Sequence, residues 1–447
     1  MTELDKAQTR RAELANNASA ALSGAGLPAN FVRAASNDFS ARSGLLIANI
    51  VAWGAQSGLE INDCLSRNLV SSLSRDYRCW MELISGITAR WLADRSSLEN
   101  TFQLQTSLSE LERVNTRLSD RHYHGRTVTS FKLAGGCVFY KPRSIRSEKA
   151  WSQIASEVIN VSNNCEHRHI ERDGYGWCLG EPQAPCASDG EFSELARNIG
   201  RTLSLAYFCG CTDMHGGNFV VNGSSLSWID CETLLVPTFI EPIEPALEDR
   251  VLPLLLADSV ARTGALPGIR MNDGVILHLR HYYAMNDCHR DSRDFVVKIE
   301  EGFVEAFNLV ISNKNWLLGL VQPLATEQSF RSRVVLAPSR WYDKICALAH
   351  WCPPADSRAF LEGRLADPAR SPRVPREVIE QETQALLRNE IPLFHAQDRD
   401  LVADGAVVVK DFFRESGLDG FDRRLRSARP AMLAAQREVI RRCLRAT

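Results

Sequence analysis

Hydrophobic residues recur at helical spacing through the N-terminal part of the chain. Between Ala41 and about Leu118 few Gly or Pro residues interrupt this pattern. One run shows it clearly: Trp80, Leu83, Ile84, Ile87 and Trp91. Apolar positions that recur every ~3.6 residues form one face of a helix. We therefore expect residues 1–118 to be a mainly helical N-terminal region.

The pattern changes to short strand-like runs between Gly125 and Arg143. Residues 127–133 and 137–140 are rich in β-branched and aromatic side chains and flank Gly135-Gly136. Two such runs around a glycine turn are typical of a β-hairpin. Lys141 therefore lies at the end of a predicted strand.

Helices and a second hairpin are predicted next. Ser147 to Val161 and Ser193 to Cys209 have amphipathic helical spacing. Residues 219–221 and 226–229 flank Asn222-Gly223, a dipeptide that favours a tight hairpin turn. Both kinds of element lie along one chain, which indicates an α+β fold.

From Ala246 to the C-terminus we expect helices to predominate. Proline-rich stretches interrupt them at Pro338, Pro353-Pro354 and Pro368 to Pro375. The sequence shows no internal repeat and no low-complexity tract. Residues 301–447 are therefore predicted to be a helical C-terminal part.

The bulk composition excludes several classes of protein. Of 447 residues, 45% are hydrophobic, and the formal net charge of -2 gives no basic excess for binding nucleic acid. The 13 cysteines lack the dense spacing of a secreted disulfide scaffold, and the polar N-terminus is unlike a secretory signal. The longest apolar runs, Leu45 to Trp53 and Val251 to Ala257, are too short to cross a bilayer. We expect a cytoplasmic protein with no transmembrane segment.

Two polar segments carry the candidate chemistry. Thr212-Asp213-Met214-His215-Gly216-Gly217-Asn218 precedes the second hairpin, and Ile229-Asp230-Cys231-Glu232-Thr233 follows it. Phosphoryl transfer from ATP needs a carboxylate at the attacking hydroxyl, oxygen ligands for Mg²⁺ and a lysine on the phosphates. Asp213 suits the first role, and Asn218 with Asp230 suits the second. Lys141 would neutralise the α- and β-phosphates, and His215 would contact the transferring phosphate or brace the loop.

A purely structural interpretation of these segments is the alternative. Asp213, His215 and Asn218 are common turn residues, and Asp230 could cap the segment that follows it. The lysine, the loop and the second aspartate nevertheless stand in the order found in kinases. That order favours a site for ATP and Mg²⁺.

Several ordered motifs resemble the dehydratase domain of class II lanthipeptide synthetases, the LanM-type enzymes. The resemblance extends from about Leu118 to the C-terminus. Besides the two polar segments, it rests on three motifs: Asp120-Arg121-His122 with Gly125, then Tyr140-Lys141-Pro142-Arg143, and Asn389-Glu390-Ile391-Pro392-Leu393-Phe394. It implies a kinase-like, lipid-kinase-like bilobal core over residues 119–300, which holds the ATP and Mg²⁺ site.

The resemblance implies two successive reactions on a precursor peptide with a leader. Ser or Thr is phosphorylated, and the phosphate is then eliminated to leave dehydroalanine or dehydrobutyrine. By motif position, the phosphorylation residues are Lys141, Asp213, His215, Asn218 and Asp230. Asp120 and His122 match an activation motif. Arg143 and Glu232 accompany the nucleotide and metal residues.

Elimination in this family uses an arginine followed six positions later by a threonine. Arg333 and Ser339 occupy these places before Tyr342, so serine replaces threonine, and Ala337 stands where a further arginine is usual. A guanidinium can bind a departing phosphate through two hydrogen bonds. A surface ion pair is the alternative role for Arg333.

These substitutions leave two other functions open. One is a kinase that stops at phosphorylation, and the other is a pseudoenzyme that binds the leader peptide. The resemblance also implies a stand-alone dehydratase without the cyclase domain, for which a separate cyclase or other maturation enzymes would be partners.

Other charged and histidine clusters favour structural roles. His167 with His169 and His278 with His281 lack a third metal ligand in the sequence around them. The basic stretch from Arg437 to Arg445 is most simply a solvated helix face, with binding of an acidic leader as the alternative.

Overall fold

The structure is a computed structural model that describes residues 3–159, 168–239, 258–266, 292–326, 330–367 and 375–445. The apolar run Val251 to Ala257 and residues 368–374 of the proline-rich stretch lie outside the described residues. So do His167, His278 and His281.

Helices make up most of the described chain. In chain order they are α1 (Glu3–Gly24), α2 (Ala29–Gln56), α3 (Asp63–Phe102), α4 (Arg146–Ile159), α5 (Asp189–Phe208), α6 (Ser292–Ser312), α7 (Lys314–Thr326), α8 (Ser339–Ala349), α9 (Ser357–Leu365), α10 (Arg376–Leu387), α11 (Gly417–Ser427) and α12 (Pro430–Arg445). None of the described helices is both long and apolar enough to span a bilayer.

Strands are short and pair in antiparallel fashion. In chain order they are β1 (Arg113–Asn115), β2 (Thr129–Leu133), β3 (Gly136–Lys141), β4 (His169–Arg172), β5 (Tyr175–Leu179), β6 (Phe219–Asn222), β7 (Ser225–Trp228), β8 (Thr238–Phe239), β9 (Ser332–Val334), β10 (Phe394–Gln397), β11 (Asp400–Ala403), β12 (Ala406–Val409) and β13 (Phe413–Glu415). The mixture of helices and small sheets confirms the α+β class, while the likeness to a kinase core stays a prediction.

The chain forms two compact units, each assembled from separate segments. Unit 1 comprises Met1–Ile145, Glu166–Gly180 and Leu336–Leu393. Unit 2 comprises Arg146–Cys165, Glu181–Val335 and Phe394–Thr447. The predicted division into residues 1–118, 119–300 and 301–447 stays a prediction.

Unit 1 contains long helices and a five-stranded sheet. Its strand order is β1-β2-β3-β5-β4, and the β2–β3 hairpin has the predicted glycine turn. Helix α3 begins where the Asn62 side chain accepts a hydrogen bond from the Leu65 amide, which caps the first turn. The apolar spacing noted in the sequence buries Trp91 of α3 against Phe131 and Trp177 of the sheet, with ring centroids 4.9 and 5.5 Å away. These contacts fix the strand that ends at Lys141.

Unit 2 is built around the crossing of α5 and α6. Ser188 caps α5 by accepting a hydrogen bond from the Glu191 amide. The helices approach closely at Gly200 and Gly302, where an added Cβ would lie 2.0 Å from a backbone oxygen of the facing helix. Hairpin β6–β7, the pair β13–β8 and a sheet of order β12-β11-β10-β9 complete the unit.

The structure confirms some predicted elements and corrects others. Both hairpins and the helices near Ser147 and Ser193 are present. The region from Ala41 to Leu118, predicted to be helical, ends its helix at Phe102 and contains β1. Strands β9 to β13 lie in the C-terminal part, where helices were expected to predominate and no strand was predicted. Each of these missed strands has three or four residues, too few to show a period of two in the sequence.

Candidate functional site

The loop from Thr212 to Asn218 in unit 2 is held in one shape by its own hydrogen bonds. The Asp213 carbonyl accepts from the His215 amide at 2.9 Å and from the Asn218 side-chain amide at 3.0 Å. His215 Nδ1 accepts from the Gly217 amide at 3.2 Å. Asp213 itself has a φ of 56°, an uncommon backbone conformation for a residue with a side chain. The bracing role expected for His215 is thus present.

Neighbouring segments hold this loop on both sides. The Thr212 amide donates to the Thr233 carbonyl at 3.2 Å, and the Thr233 hydroxyl donates to the Thr212 carbonyl. The Met214 amide donates to the Thr263 carbonyl at 2.9 Å. Met214 is fully buried, so the loop is anchored on the core side while Asp213 and His215 stay partly exposed.

Hairpin β6–β7 brings the second aspartate back to the loop. Phe219 pairs with Trp228, and the Ile229 amide donates to the Asn218 carbonyl at 2.9 Å. Asp230 therefore directly follows a residue that is hydrogen-bonded to Asn218. Asn218 and Asp230 are 12 positions apart in the sequence. The hairpin turn at Gly223, whose φ is 58°, brings their two segments together.

The donor set at Asn218 and Asp230 suits Mg²⁺. The Asn218 side-chain NH₂ donates to Asp213, which leaves the amide oxygen as its ligand atom, and Asp230 adds a carboxylate. Both are hard oxygen donors, which Mg²⁺ prefers together with water and substrate phosphates. Among the described residues no three His, Cys, Asp or Glu side chains converge as a metal site. Water and phosphate oxygens would therefore complete the coordination.

Arg333 lies beside the segment that carries the metal aspartate. Its backbone amide donates to the Glu232 carbonyl at 2.7 Å. Its guanidinium lies 3.8 Å from the Glu232 carboxylate, and the two side chains are only 14% and 13% exposed. Arg333 therefore does form an ion pair, the alternative role considered for it. The pair is shielded from solvent, however, and lies within the candidate site of unit 2.

In unit 1, the residues predicted to contact phosphate lie at the end of strand β3 and just after it. Lys141 is the last residue of β3, opposite Gly176, and is 6% exposed. Arg143 lies two residues after Lys141, and its guanidinium donates to the Ser144 carbonyl at 3.0 Å. The sheet thus holds Lys141 at the end of a strand, as the sequence predicts.

Asp120 and Ser339, which the sequence assigned to two different motifs, meet directly in unit 1. The Ser339 hydroxyl donates to the Asp120 carboxylate. Asp343 lies one helical turn after Ser339 on α8, so both face the same side. Burial and the nearby Asp120 charge raise the pKa of Asp343 to about 6. Asp343 was not among the predicted site residues. Its interval of four positions from Ser339, which places both on one face of a helix, could have indicated it.

The late motif from Asn389 to Phe394 supports the Asp120-Arg121-His122 segment. His122 Nδ1 donates to the Ile391 carbonyl at 2.7 Å, since a carbonyl oxygen can only accept. The Ile391 amide donates to the Arg121 carbonyl at 2.9 Å, and Glu390 accepts from the Gly125 amide at 2.9 Å. Glu390 was quoted as part of a motif without a role. The structure gives it one, because it holds the turn at Gly125.

The basic C-terminal stretch is largely engaged within unit 2. Arg437 and Arg441 both bind Glu300, with closest distances of 3.1 and 2.8 Å, and Arg442 pairs with Glu438 at 2.9 Å. These ion pairs lessen the charge available to an acidic peptide on this face.

Comparisons with known proteins agree with the motifs. Residues 68–281 and 280–397 match a protein family described as a domain of unknown function, DUF4135. The chain is also 20% identical over 383 residues to the lacticin 481/lactococcin biosynthesis protein LcnDR2 of Lactococcus lactis subsp. lactis. The match covers 74% of this chain but 41% of that protein, so the chain spans less than half of the relative's length. The resemblance to LanM-type lanthipeptide synthetases is confirmed by these two matches, and the chain belongs to the DUF4135 family.

Proposed function

We propose that this chain is a peptide dehydratase that acts in the maturation of a ribosomal, lanthipeptide-like or proteusin-like precursor. It phosphorylates Ser or Thr with ATP and Mg²⁺ and then eliminates the phosphate. The observation that carries the proposal is the braced loop of unit 2, where the Asn218 side chain donates to the Asp213 carbonyl and Ile229, which precedes Asp230, donates to the Asn218 carbonyl. The likeness to a lacticin biosynthesis protein supports the peptide substrate.

In the transfer step, Asp213 orients the substrate hydroxyl and accepts its proton. The hydroxyl oxygen forms a bond to the γ-phosphorus, the bond from the γ-phosphorus to the β,γ-bridging oxygen breaks, and ADP leaves with the electron pair. Asn218 and Asp230 would hold Mg²⁺, which would supply positive charge to neutralise the phosphates. Lys141 and Arg143 neutralise phosphate oxygens of the nucleotide. His215 keeps the loop in shape.

In the elimination step, a base removes the α-proton of the phosphorylated residue. The C–H electron pair forms the Cα=Cβ double bond, the Cβ–O bond breaks, and phosphate leaves with that electron pair. Arg333 stabilises the charge that grows on the departing phosphate. Asp120 and Ser339 share a hydrogen bond and are the candidate proton-handling pair, while His122 is held by Ile391.

The direct test is mass spectrometry of the cognate precursor after incubation with the purified chain, ATP and Mg²⁺. We expect the loss of one water per modified residue. Asp213→Asn and Asp230→Asn should slow phosphorylation by roughly 100-fold or more, because each removes a carboxylate from the transfer step. Asp411→Asn is the matched control, since Asp411 is an exposed aspartate of unit 2 with a φ of 50°.

Three results would contradict parts of this proposal. A product that gains only phosphate, with no loss of water, would favour the kinase that stops at phosphorylation, an outcome motivated by Ala337 and Ser339. No modification, together with no rise in melting temperature on adding ATP and Mg²⁺, would favour a leader-binding pseudoenzyme. Equal activity of Asp213→Asn and Asp411→Asn would remove Asp213 from the mechanism.

A further inference from the structure

Residues 232–235 form a short connecting segment between two parts of unit 2. On one side Thr233 exchanges hydrogen bonds with Thr212 of the candidate transfer loop, and the Leu235 amide donates to the Cys209 carbonyl at 3.0 Å. On the other side the Ser332 hydroxyl donates to the Leu235 carbonyl at 3.0 Å. The Arg333 amide donates to Glu232 beside it. The segment therefore ties the transfer loop and strand β9 together through the main chain.

Glu232 is the residue of this segment whose side chain also reaches Arg333. Its carboxylate lies 3.8 Å from the guanidinium, and both side chains are largely withdrawn from water. Shielding from solvent makes an ion pair more effective at fixing a side chain than it is at the surface. Glu232 also lies two positions after Asp230, the candidate metal ligand.

We infer that Glu232 is a positioning residue for elimination, which holds the Arg333 guanidinium where the departing phosphate forms. This inference rests on the proposed function and assigns Glu232 to Arg333 rather than to the metal. An arginine has many rotamers, and it binds phosphate through two parallel hydrogen bonds only when its guanidinium plane is oriented. The Glu232 carboxylate and the main-chain bond from Arg333 to Glu232 provide that orientation. Phosphate can then replace the carboxylate as the partner of Arg333 when the Cβ–O bond breaks.

The test uses the full chain and a synthetic precursor peptide that already carries phosphoserine. ATP, ADP and Mg²⁺ are present in all reactions, and conversion to the dehydrated peptide is followed by mass spectrometry. We expect Glu232→Gln to lower kcat for elimination by roughly tenfold or more with little change in KM. Phosphorylation of the unmodified peptide should fall by a smaller factor than elimination does, since Asp213, Asn218 and Asp230 are unchanged. Glu232→Asp, which keeps the charge, should recover part of the loss.

A double-mutant cycle separates positioning from a general structural effect. If Glu232 acts through Arg333, Glu232→Gln should cost nothing further in an Arg333→Gln background, which has no positive charge for Glu232 to hold. Glu301→Gln is the matched control, because it breaks the 2.9 Å ion pair of Glu301 with Arg197, elsewhere in unit 2. Melting curves verify that each variant folds. If Glu232→Gln does not fold, Glu232→Asp carries the same cycle.

Other outcomes would overturn either the inference alone or the proposed function together with it. Equal losses from Glu232→Gln in the wild-type and Arg333→Gln backgrounds would overturn the inference. So would a loss of phosphorylation that exceeds the loss of elimination, because Glu232 would then serve the metal or the nucleotide. If the wild-type chain converts neither peptide, the proposed function fails and the inference fails with it. Conversion by the wild type with an unaffected Glu232→Gln contradicts the inference alone.

Discussion

At the scale of single residues, unusual backbone conformations occur at both parts of the candidate machinery. Asp213 has a φ of 56°, and Tyr123, His124 and Gly125 have φ values of 36°, 65° and 77° in succession. Positive φ values in residues with a Cβ are strained, and such strain is found at functional sites more often than elsewhere. At Gly125 an added Cβ would lie 2.7 Å from the Cβ of Cys79, so glycine is required there for space as well. The sequence predicts candidate site residues here but not these conformations, because Asp and His are ordinary turn residues.

Asp343 gives a residue-scale prediction for stability. Burial and the Asp120 charge raise its pKa to about 6, with Arg121 opposing the shift. The unfolded chain ionises this carboxyl near pH ~4, so the folded state loses stability as the pH rises from ~4 through 6. Asp343→Asn removes that loss. We expect the variant to be more stable at pH 7 by on the order of 1 kcal/mol, a value reduced for the partial exposure of the side chain.

Thermal melting of the variant and the wild type between pH 4 and 7 tests this expectation. The difference in melting temperature should shrink towards pH 4, because ionisation of the unfolded wild type, which favours unfolding, falls away there. Asp173→Asn, in an exposed turn of unit 1, is the matched control for replacing an aspartate by an asparagine. A constant difference across the range would mean that Asp343 does not titrate as expected.

At the scale of elements, the crossing of α5 and α6 depends on two glycines that face the partner helix. An added Cβ at Gly200 would lie 2.0 Å from the Ile299 carbonyl oxygen, and one at Gly302 would lie 2.0 Å from the Arg197 carbonyl oxygen. Glycine usually weakens a helix, so its presence here is explained by the close approach of the two backbones. Helix α5 leads directly to Cys209 and the Thr212 loop, and the crossing therefore supports the candidate site.

Gly302→Ala is the prediction at this scale. The methyl group would collide with the backbone of α5, which cannot move like the end of a flexible side chain, and we expect a loss of about 2–4 kcal/mol in the free energy of unfolding. Gly319→Ala in α7 is the matched control, since nothing lies within 4 Å of its added Cβ. That variant should be neutral or more stable by up to about 1 kcal/mol. Urea denaturation measures both, and equal midpoints for the two variants would disprove the packing explanation.

Turn chemistry decided which elements could be predicted from the sequence. The Asn222-Gly223 dipeptide identified its hairpin correctly because a tight turn needs a residue that tolerates positive φ, and Gly223 has a φ of 58°. The Gly135-Gly136 dipeptide also identified its hairpin, although neither glycine has a positive φ. Strand β1 has only the residues Arg113–Asn115, and its pairing partner β2 lies 14 positions or more away. Such a strand is fixed by its partner and not by its own pattern, so periodicity could not reveal it.

At the scale of the whole molecule, the order of the motifs along the chain did not predict how they associate. Ser339 donates to Asp120 across an interval of 219 positions, because residues Leu336–Leu393 belong to the same compact unit as the N-terminal segment. Arg333, six positions before Ser339, belongs to unit 2 with Asp213 and Asp230. A sequence pattern records intervals along the chain, whereas these associations depend on tertiary packing. The resemblance to a family identified the residues, and the structure supplied their immediate partners.

The proposed two-step reaction predicts that two copies of the chain can act in turn on the same substrate molecule. Phosphopeptide is a stable covalent species, so one copy of the chain can release it and another can use it. We expect Asp213→Asn alone to leave the precursor unmodified and Ser339→Ala alone to accumulate phosphopeptide. A mixture of the two variants should produce dehydrated peptide, because Asp213→Asn retains the elimination residues. The double variant Asp213→Asn/Ser339→Ala, mixed with Ser339→Ala, is the control and should yield phosphopeptide only. Dehydration of added phosphopeptide by Asp213→Asn, without any dehydration in the mixture, would mean that the intermediate passes between the two steps without leaving the molecule that made it.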